Sequence, residues 1–342
     1  MVSANKLFNA LLQPLTSRQK EVIQGRFALG TVSEPKTLAA IGDKFGVSRE
    51  RIRQIEAAAL KLISVEIKPN SVYAEILERG KKHLDASGGI AGEGQLVGEL
   101  KKIADGINRN HLDLLLASTD SFYGYSEDND FAPFYYSKKA DLANAVGFLN
   151  KWTARLNEQK GKILSGGYSQ EFAGFVKQSG LKPAIAENYV GISKNIRDNA
   201  YGDAGLADWP EINPRTIRDK IYLVMKKNGD PLHFRDIAGG INKAGIDSRK
   251  ALVATVHNEL IRDNRFVLIG RGIYALSENG YTPGNAREII HKVLKQKPMQ
   301  LPEVVLAVQK ERILKPNTIL INLQNRSFFE KMPDGKYRVK EV

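Results

Sequence analysis

The chain contains no cysteine, which excludes disulfides, thiolate metal sites and a cysteine nucleophile. Its histidines, His83, His111, His233, His257 and His291, are scattered without the spacing that metal ligation requires. No apolar run approaches the length of a bilayer-spanning helix, and the N-terminus lacks the apolar core of a signal peptide. Catalytic patterns are also missing. The glycine-rich stretch Gly88 to Gly94 has no Lys-Ser/Thr to hold phosphate, so it reads as a loop. Glu127-Asp-Asn-Asp130 lacks the glycine and terminal glutamate of a calcium loop, and Gly167-Tyr-Ser-Gln-Glu171 fails the nucleophile-elbow pattern at its last position. Tyr135-Tyr136 and Phe328-Phe329 read as strand core before they read as base-stacking platforms. The expectation is a cytoplasmic protein without enzyme activity, cofactor, metal or membrane attachment.

What is present is positive charge, unevenly placed. At 342 residues the chain is long enough for two or three domains, and its formal net charge is +13. Residues 1–70 hold 11 basic against 6 acidic side chains, residues 71–214 hold 16 against 19, and residues 215–342 hold 24 against 13. A generally solvated basic surface would not confine the excess to the two ends. A polyanionic partner for the ends, with a protein-contact or spacer role for the middle, accounts for the split.

The most informative stretch is 37–63. Before it, Thr16 followed by Gln19 forms a capping-box pattern that starts a helix carrying Val22, Ile23 and Phe27 on one side. Thr37 can cap the next helix, which turns Leu38, Ile41 and Phe45 inward. Gly46 suits a tight turn, and Ser48 caps a following helix. At about 100° per residue, Ile52, Ile55, Ala59, Leu62 and Ile63 share one face of that helix, and Arg49, Glu50, Arg53 and Gln54 share the other. Arginine can grip guanine, glutamine can pair with adenine and glutamate can accept from cytosine. The set therefore suits base reading in a major groove; the alternative is an amphipathic surface helix whose charges face water.

Leu15-Thr-x-Arg-Gln-x-x-Val-Ile-x-x-Arg-Phe27, followed by Thr37-Leu-x-x-Ile-Gly-x-x-Phe-Gly-Val-Ser-Arg-Glu-Arg-Ile-Arg-Gln-Ile-Glu56, closely resembles region 4 of sigma-70 family transcription initiation factors. The resemblance covers about residues 14–65. It implies that the second helix reads a promoter −35 element through Arg49, Glu50, Arg53 and Gln54, with Arg51 nearer the phosphates and Ser48 and Thr37 at the helix starts. It also implies contact with the flap of the RNA polymerase β subunit. In a complete sigma factor a polymerase-binding segment precedes region 4. Only about 14 residues precede it here, so the expectation is a transcription regulator carrying the −35 reader.

Helical spacing returns at Thr216–Lys227, Pro231–Asn242 and Lys250–Asp263, followed by apolar stretches Phe266–Ile269 and Ile273–Leu276 around Gly270-Arg271-Gly272. Three helices and a hairpin describe a winged helix. Pro231-Leu-His-Phe-Arg-Asp-Ile-Ala238, Thr255-Val-His-Asn-Glu-Leu260 and Phe266-x-x-x-Gly270-Arg-Gly-Ile-Tyr-Ala-Leu276 resemble the HARE-HTH domain over roughly 214–278. That resemblance implies association with nucleic acid and the transcription machinery. Arg271 either reaches a minor groove or phosphate, or is a solvated turn residue. A second winged helix is expected at the end, with helices near 285–297, 302–311 and 318–323 and a hairpin at Asp334-Gly335 whose wing carries Arg326, Lys331, Lys336 and Arg338. In the middle, Ala74–Leu84 and Gly94–Ile107 read as helices and Phe131–Tyr136 as a returning wing strand, a pattern open to a third winged helix over 72–140, followed by a helical segment from Lys139 to Lys162.

The fold class that follows is mainly α, with tandem helix-turn-helix and winged-helix modules and short β-hairpin wings. The expected segments are 1–70, 71–213, 214–280 and 281–342. The leading functional expectation is a regulator that binds promoter-like double-stranded DNA. The alternatives are a delta-like accessory subunit of RNA polymerase acting by protein contact, and the DNA-specificity component of a modification or defence system.

Overall fold

The computed structural model describes residues 2–281 and 283–340. The chain is mainly α and divides into two compact units, Met1–Arg197 and Asp198–Val342.

The first unit opens with β1 (Val2–Ser3) and α1 (Ala4–Leu11). α2 (Ser17–Phe27), α3 (Leu38–Phe45) and α4 (Arg49–Ile67) form the helix-turn-helix. The Thr16–Gln19 capping box is present on α2. Next come α5 (Ser71–Ala86), β2 (Ile90–Gly92), α6 (Glu93–Leu100), β3 (Ala104–Asp105), α7 (Arg109–Ser118), β4 (Tyr123–Tyr125) and β5 (Phe134–Tyr136). The sheet order β2-β5-β4 is antiparallel, which makes residues 71–136 a winged helix. The helix expected over Gly94–Ile107 ends at Leu100, because Ala104–Asp105 turns into an extended bridge with Val2–Ser3.

One hydrophobic core runs from Ala4 to Tyr135 and unites the helix-turn-helix with this winged helix. Ala59, Ile63 and Ile67 of α4 meet Tyr73 and Ile76 of α5 and Leu112 and Leu115 of α7 within it. The boundary expected at residue 70 thus falls inside a continuous core. Two polar ties reinforce it. The Tyr73 hydroxyl donates to the Leu7 carbonyl at 2.7 Å, and burial pushes that phenol up to about 12. Asn110 donates its amide to the Ala28 carbonyl at 3.2 Å, at the left-handed end of α2.

α8 (Lys139–Glu158), α9 (Lys160–Lys162), a wide π turn over Ile163–Gly167, α10 (Tyr168–Ser179) and α11 (Pro183–Ile192) follow, and β6 (Ile196–Asp198) runs to the unit boundary. Trp152 of α8 is fully buried among the rings of Tyr168, Phe172 and Phe175. α11 lies against β2, where the Tyr189 hydroxyl donates to the Gly88 carbonyl at 2.9 Å.

The second unit holds β7 (Ala204–Leu206) and then two winged helices. The first comprises α12 (Ile217–Asn228), β8 (Leu232–His233), α13 (Phe234–Ala244), α14 (Val253–Arg262), β9 (Phe266–Gly270) and β10 (Ile273–Leu276), with sheet order β8-β10-β9. The helix expected from Pro231 begins only at Phe234, because Leu232–His233 pairs with Ile273–Tyr274. Lys220 is buried to 4% exposure and is tied to Asp247 at 2.6 Å. This ion pair holds the Asp247 carboxyl down to about 2. The second comprises α15 (Ala286–Gln296), α16 (Leu301–Glu311), α17 (Pro316–Leu323), β11 (Phe329–Lys331) and β12 (Tyr337–Val339), around its own core of Ile290, Val304, Val308, Ile319 and Phe329.

Two outcomes follow. Ile63→Ala should destabilise the first unit by about 2–5 kcal/mol, the usual range for an emptied core site. In hydrogen exchange, α2 and α7 should lose protection together; independent loss would contradict a shared core. In the second unit, the Asp247 contribution is present above its ordinary value of 3.8 and is lost as pH falls toward about 2. Asp247→Asn should lower the melting temperature at neutral pH, by stranding Lys220, and should flatten the acid limb of a melting-temperature profile.

Candidate nucleic-acid interface

The helix-turn-helix geometry is built from short-range contacts. The Thr37 hydroxyl accepts from the Ala40 amide at 3.1 Å and starts α3. Gly46 ends it in the left-handed region at φ +63°, with open space around it. Gly42 has a different role: a Cβ there would sit 2.6 Å from the Val47 carbonyl oxygen. The turn therefore closes onto α3 more tightly than any side chain permits. The Ser48 hydroxyl then accepts from the Arg51 amide at 3.2 Å and starts α4. Val22, Ile41 and Ile52 fill the angle between the three helices, with Leu38, Phe45, Val47 and Ile55 packed around them. Arg26 braces the back of α4 through Glu56 at 3.0 Å and also donates to the Lys36 carbonyl at 2.6 Å.

α4 is split by this arrangement. Its inner stripe is Ile52, Ala59, Ile63 and Ile67, all buried. Thr37, Ser48, Arg49, Glu50, Arg51, Arg53 and Gln54 are all exposed. Arg49, Glu50, Arg53 and Gln54 stand together on the outward face, as their spacing predicts. Leu62, read as inward, is 42% exposed. The core line through Ala59, Ile63 and Ile67 is narrow, and Leu62 falls at its rim. Two further residues extend the outward face: Ala57 and Lys61 are exposed and follow Arg53 and Gln54 by one and two turns. Helical spacing alone could have found them, since a small residue at 57 lets a partner approach closely.

The polar groups of this face are paired with each other. Arg53 binds Glu50 in two-pronged fashion at 2.9 and 2.7 Å, and Arg51 donates to the Gln54 side-chain oxygen at 3.1 Å. Arg53 holds the Glu50 carboxyl below its ordinary value, chiefly through that hydrogen bond. The Arg49 side chain makes no hydrogen bond among the described residues. Exposed pairs of this kind are weak and salt-screened, so bases can replace them at little cost.

Behind α4 the module is already occupied. α7 takes the third-helix position of its winged helix, the position that enters a groove in DNA-bound winged helices. Here His111, Leu112, Leu114 and Leu115 of α7 are buried, and the helix packs against α2 and α4. This winged helix is a mount for the helix-turn-helix.

Arg271 lies in the second unit, exposed on the β9–β10 turn. The loops without catalytic signature have structural explanations. Gly88 and Gly89 carry left-handed backbone pressed against Ile185 and Asp141. Asp128 accepts from the amides of Asp130 and Phe131 and from the Tyr125 hydroxyl, closing the acidic loop on itself.

The fold and this face together define a helix-turn-helix whose second helix presents an exposed polar face. Residues 11–63 match the family model described as Sigma-70, region 4. The RNA polymerase sigma factor SigA4 of Synechococcus elongatus is 52% identical over 54 residues, which is 16% of this chain and 17% of that protein. The chain thus spans about a sixth of the length of that curated relative. The family match lies on the segment whose geometry has just been described.

Gly42→Ala should cost roughly 1–3 kcal/mol, because the Val47 carbonyl must move. Gly46→Asn should be nearly neutral, since asparagine tolerates left-handed backbone and nothing crowds the site. Thermal melting of the two variants separates these outcomes.

Proposed function

We propose that this protein is a DNA-binding transcription regulator that reads a −35-like promoter element through Arg49, Glu50, Arg53 and Gln54. The observation that carries the reading is the outward face of α4: four exposed side chains of types that can pair with bases, on a helix whose back is locked into a core. The match to sigma-70 region 4 supports a role in transcription alongside RNA polymerase. Arg51, Lys61 and the capped start of α4 at Ser48 supply phosphate contacts beside the bases. Arg271 on its wing adds a backbone contact from the second unit. Contact with the polymerase β flap belongs to the same reading. Because α7 and α5 already cover the inner sides of α2 and α4, that contact falls on the remaining exposed surface of the module.

A second reading, an accessory polymerase subunit acting by protein contact, is favoured by the acidic balance of residues 71–214. Retention on RNA polymerase in high salt without DNA would support it over the first.

Selection of bound sites from random duplexes, followed by footprinting, tests promoter reading directly. Arg53→Ala and Gln54→Ala should each cost roughly 1–3 kcal/mol at one read position and relax specificity there. An affinity loss that ignores sequence would reduce α4 to a phosphate-binding helix and overturn the proposal.

A further inference from the structure

Every acidic side chain described in the last winged helix is already engaged. Glu288 and Glu303 cap α15 and α16, Glu311 pairs with Lys292, Glu330 with Arg338, and Asp334 with Lys336. Between residues 283 and 340 there are 12 Lys and Arg against these 5 carboxylates. Lys310, Lys315 and Arg326 are exposed and have no ion pair among the described residues. They sit around α17. Lys310 closes α16, whose neighbour Gln309 donates to the Leu314 carbonyl at 3.3 Å; Lys315 precedes α17, and Arg326 follows it.

α17 itself divides cleanly. Ile319 and Leu323 are buried in the core, while Asn317, Ile321 and Gln324 are exposed on the other side, Ile321 to 67%. The side-chain amides of Asn317 and Gln324 make no hydrogen bond among the described residues. Asn322, by contrast, is used up internally on the Thr318 carbonyl at 2.8 Å. The module is braced against the preceding winged helix by the Ile313 amide, which donates to the Ile269 carbonyl at 2.7 Å.

We propose that α17 is a second duplex-reading helix, selective for A·T-rich DNA. Side-chain amides pair with adenine through N6 and N7, and a branched apolar side chain packs on the thymine methyl. No arginine stands on the exposed face of α17, so guanine would find no matching donor fork there. The free cations at both ends of the helix fit the two phosphate strands that flank a groove. The inference shares the DNA-binding reading given above but rests on different residues, and α4 can be silenced without touching it.

The test uses the full chain carrying Arg53→Ala and Gln54→Ala as background, with labelled A·T-rich and G·C-rich duplexes followed by fluorescence anisotropy. The background protein should still bind, and should prefer the A·T-rich duplex. Adding Asn317→Ala and Gln324→Ala should weaken A·T-rich binding about tenfold or more while barely changing G·C-rich binding. Lys315→Gln with Arg326→Gln should weaken both duplexes equally and reduce the salt dependence. All substituted residues are exposed, so unchanged circular dichroism and melting should accompany these losses. Absence of duplex binding in the background protein would overturn the proposal, as would an equal loss on both duplexes from the amide substitutions. Binding to RNA polymerase that Ile321→Ser abolishes, with DNA binding intact, would reassign the face to a protein. Failure of promoter reading by α4 is scored separately, on the parent chain with its selected site.

Discussion

The burial of one side of α4 is the constraint on which the rest of the molecule depends. Ile52 anchors the helix in the small core of the helix-turn-helix, and Ala59, Ile63 and Ile67 anchor it in the larger core shared with α5 and α7. A helix held at both ends cannot adjust its pose to a ligand. The orientation of Arg49, Glu50, Arg53 and Gln54 is therefore set by folding and need not be established on binding. Such preorganisation lowers the ordering cost of association, the main reason that equal contact areas give unequal affinities. The close approach at Gly42 serves the same end from the other side, by removing slack from the turn.

The chain uses one topology three times and puts its third helix to different work each time. In residues 71–136 that helix, α7, is buried under the helix-turn-helix. In the two winged helices of the second unit, α14 and α17 keep an outward face. On α14 this face carries Thr255, Asn258 and Arg262. Architecture alone does not decide whether a winged helix reads DNA; what covers its third helix does. The charge distribution follows the same division, since the mounting module lies in the segment with more acidic than basic side chains, and the exposed heads lie in the basic segment.

Much of the architecture was legible in local patterns. The caps at Thr16, Thr37 and Ser48, the left-handed Gly46 and the hairpins around Gly272 and Gly335 are contacts within a few residues, and such contacts are written directly in residue type and spacing. Less legible were the elements made by distant pairing. Val2–Ser3 joins Ala104–Asp105, and Leu232–His233 joins Ile273–Tyr274; each partner is too short to show a period of its own. Leu62 was misjudged for a related reason. Periodicity tells which side of a helix is apolar, but the width of the buried stripe depends on the neighbour that covers it.

The amino-acid order by itself therefore determined the helices, their turns, the outward polar set on α4 and the placement of positive charge, because all of these arise from neighbours in the chain or from simple counting. Tertiary structure alone decided that the helix-turn-helix and the following winged helix share a core, that α7 is covered, and that α17 is not. Those outcomes depend on which apolar faces meet across many tens of residues. Two amphipathic helices of the same pattern are indistinguishable until one of them is packed against a partner and the other is left facing water.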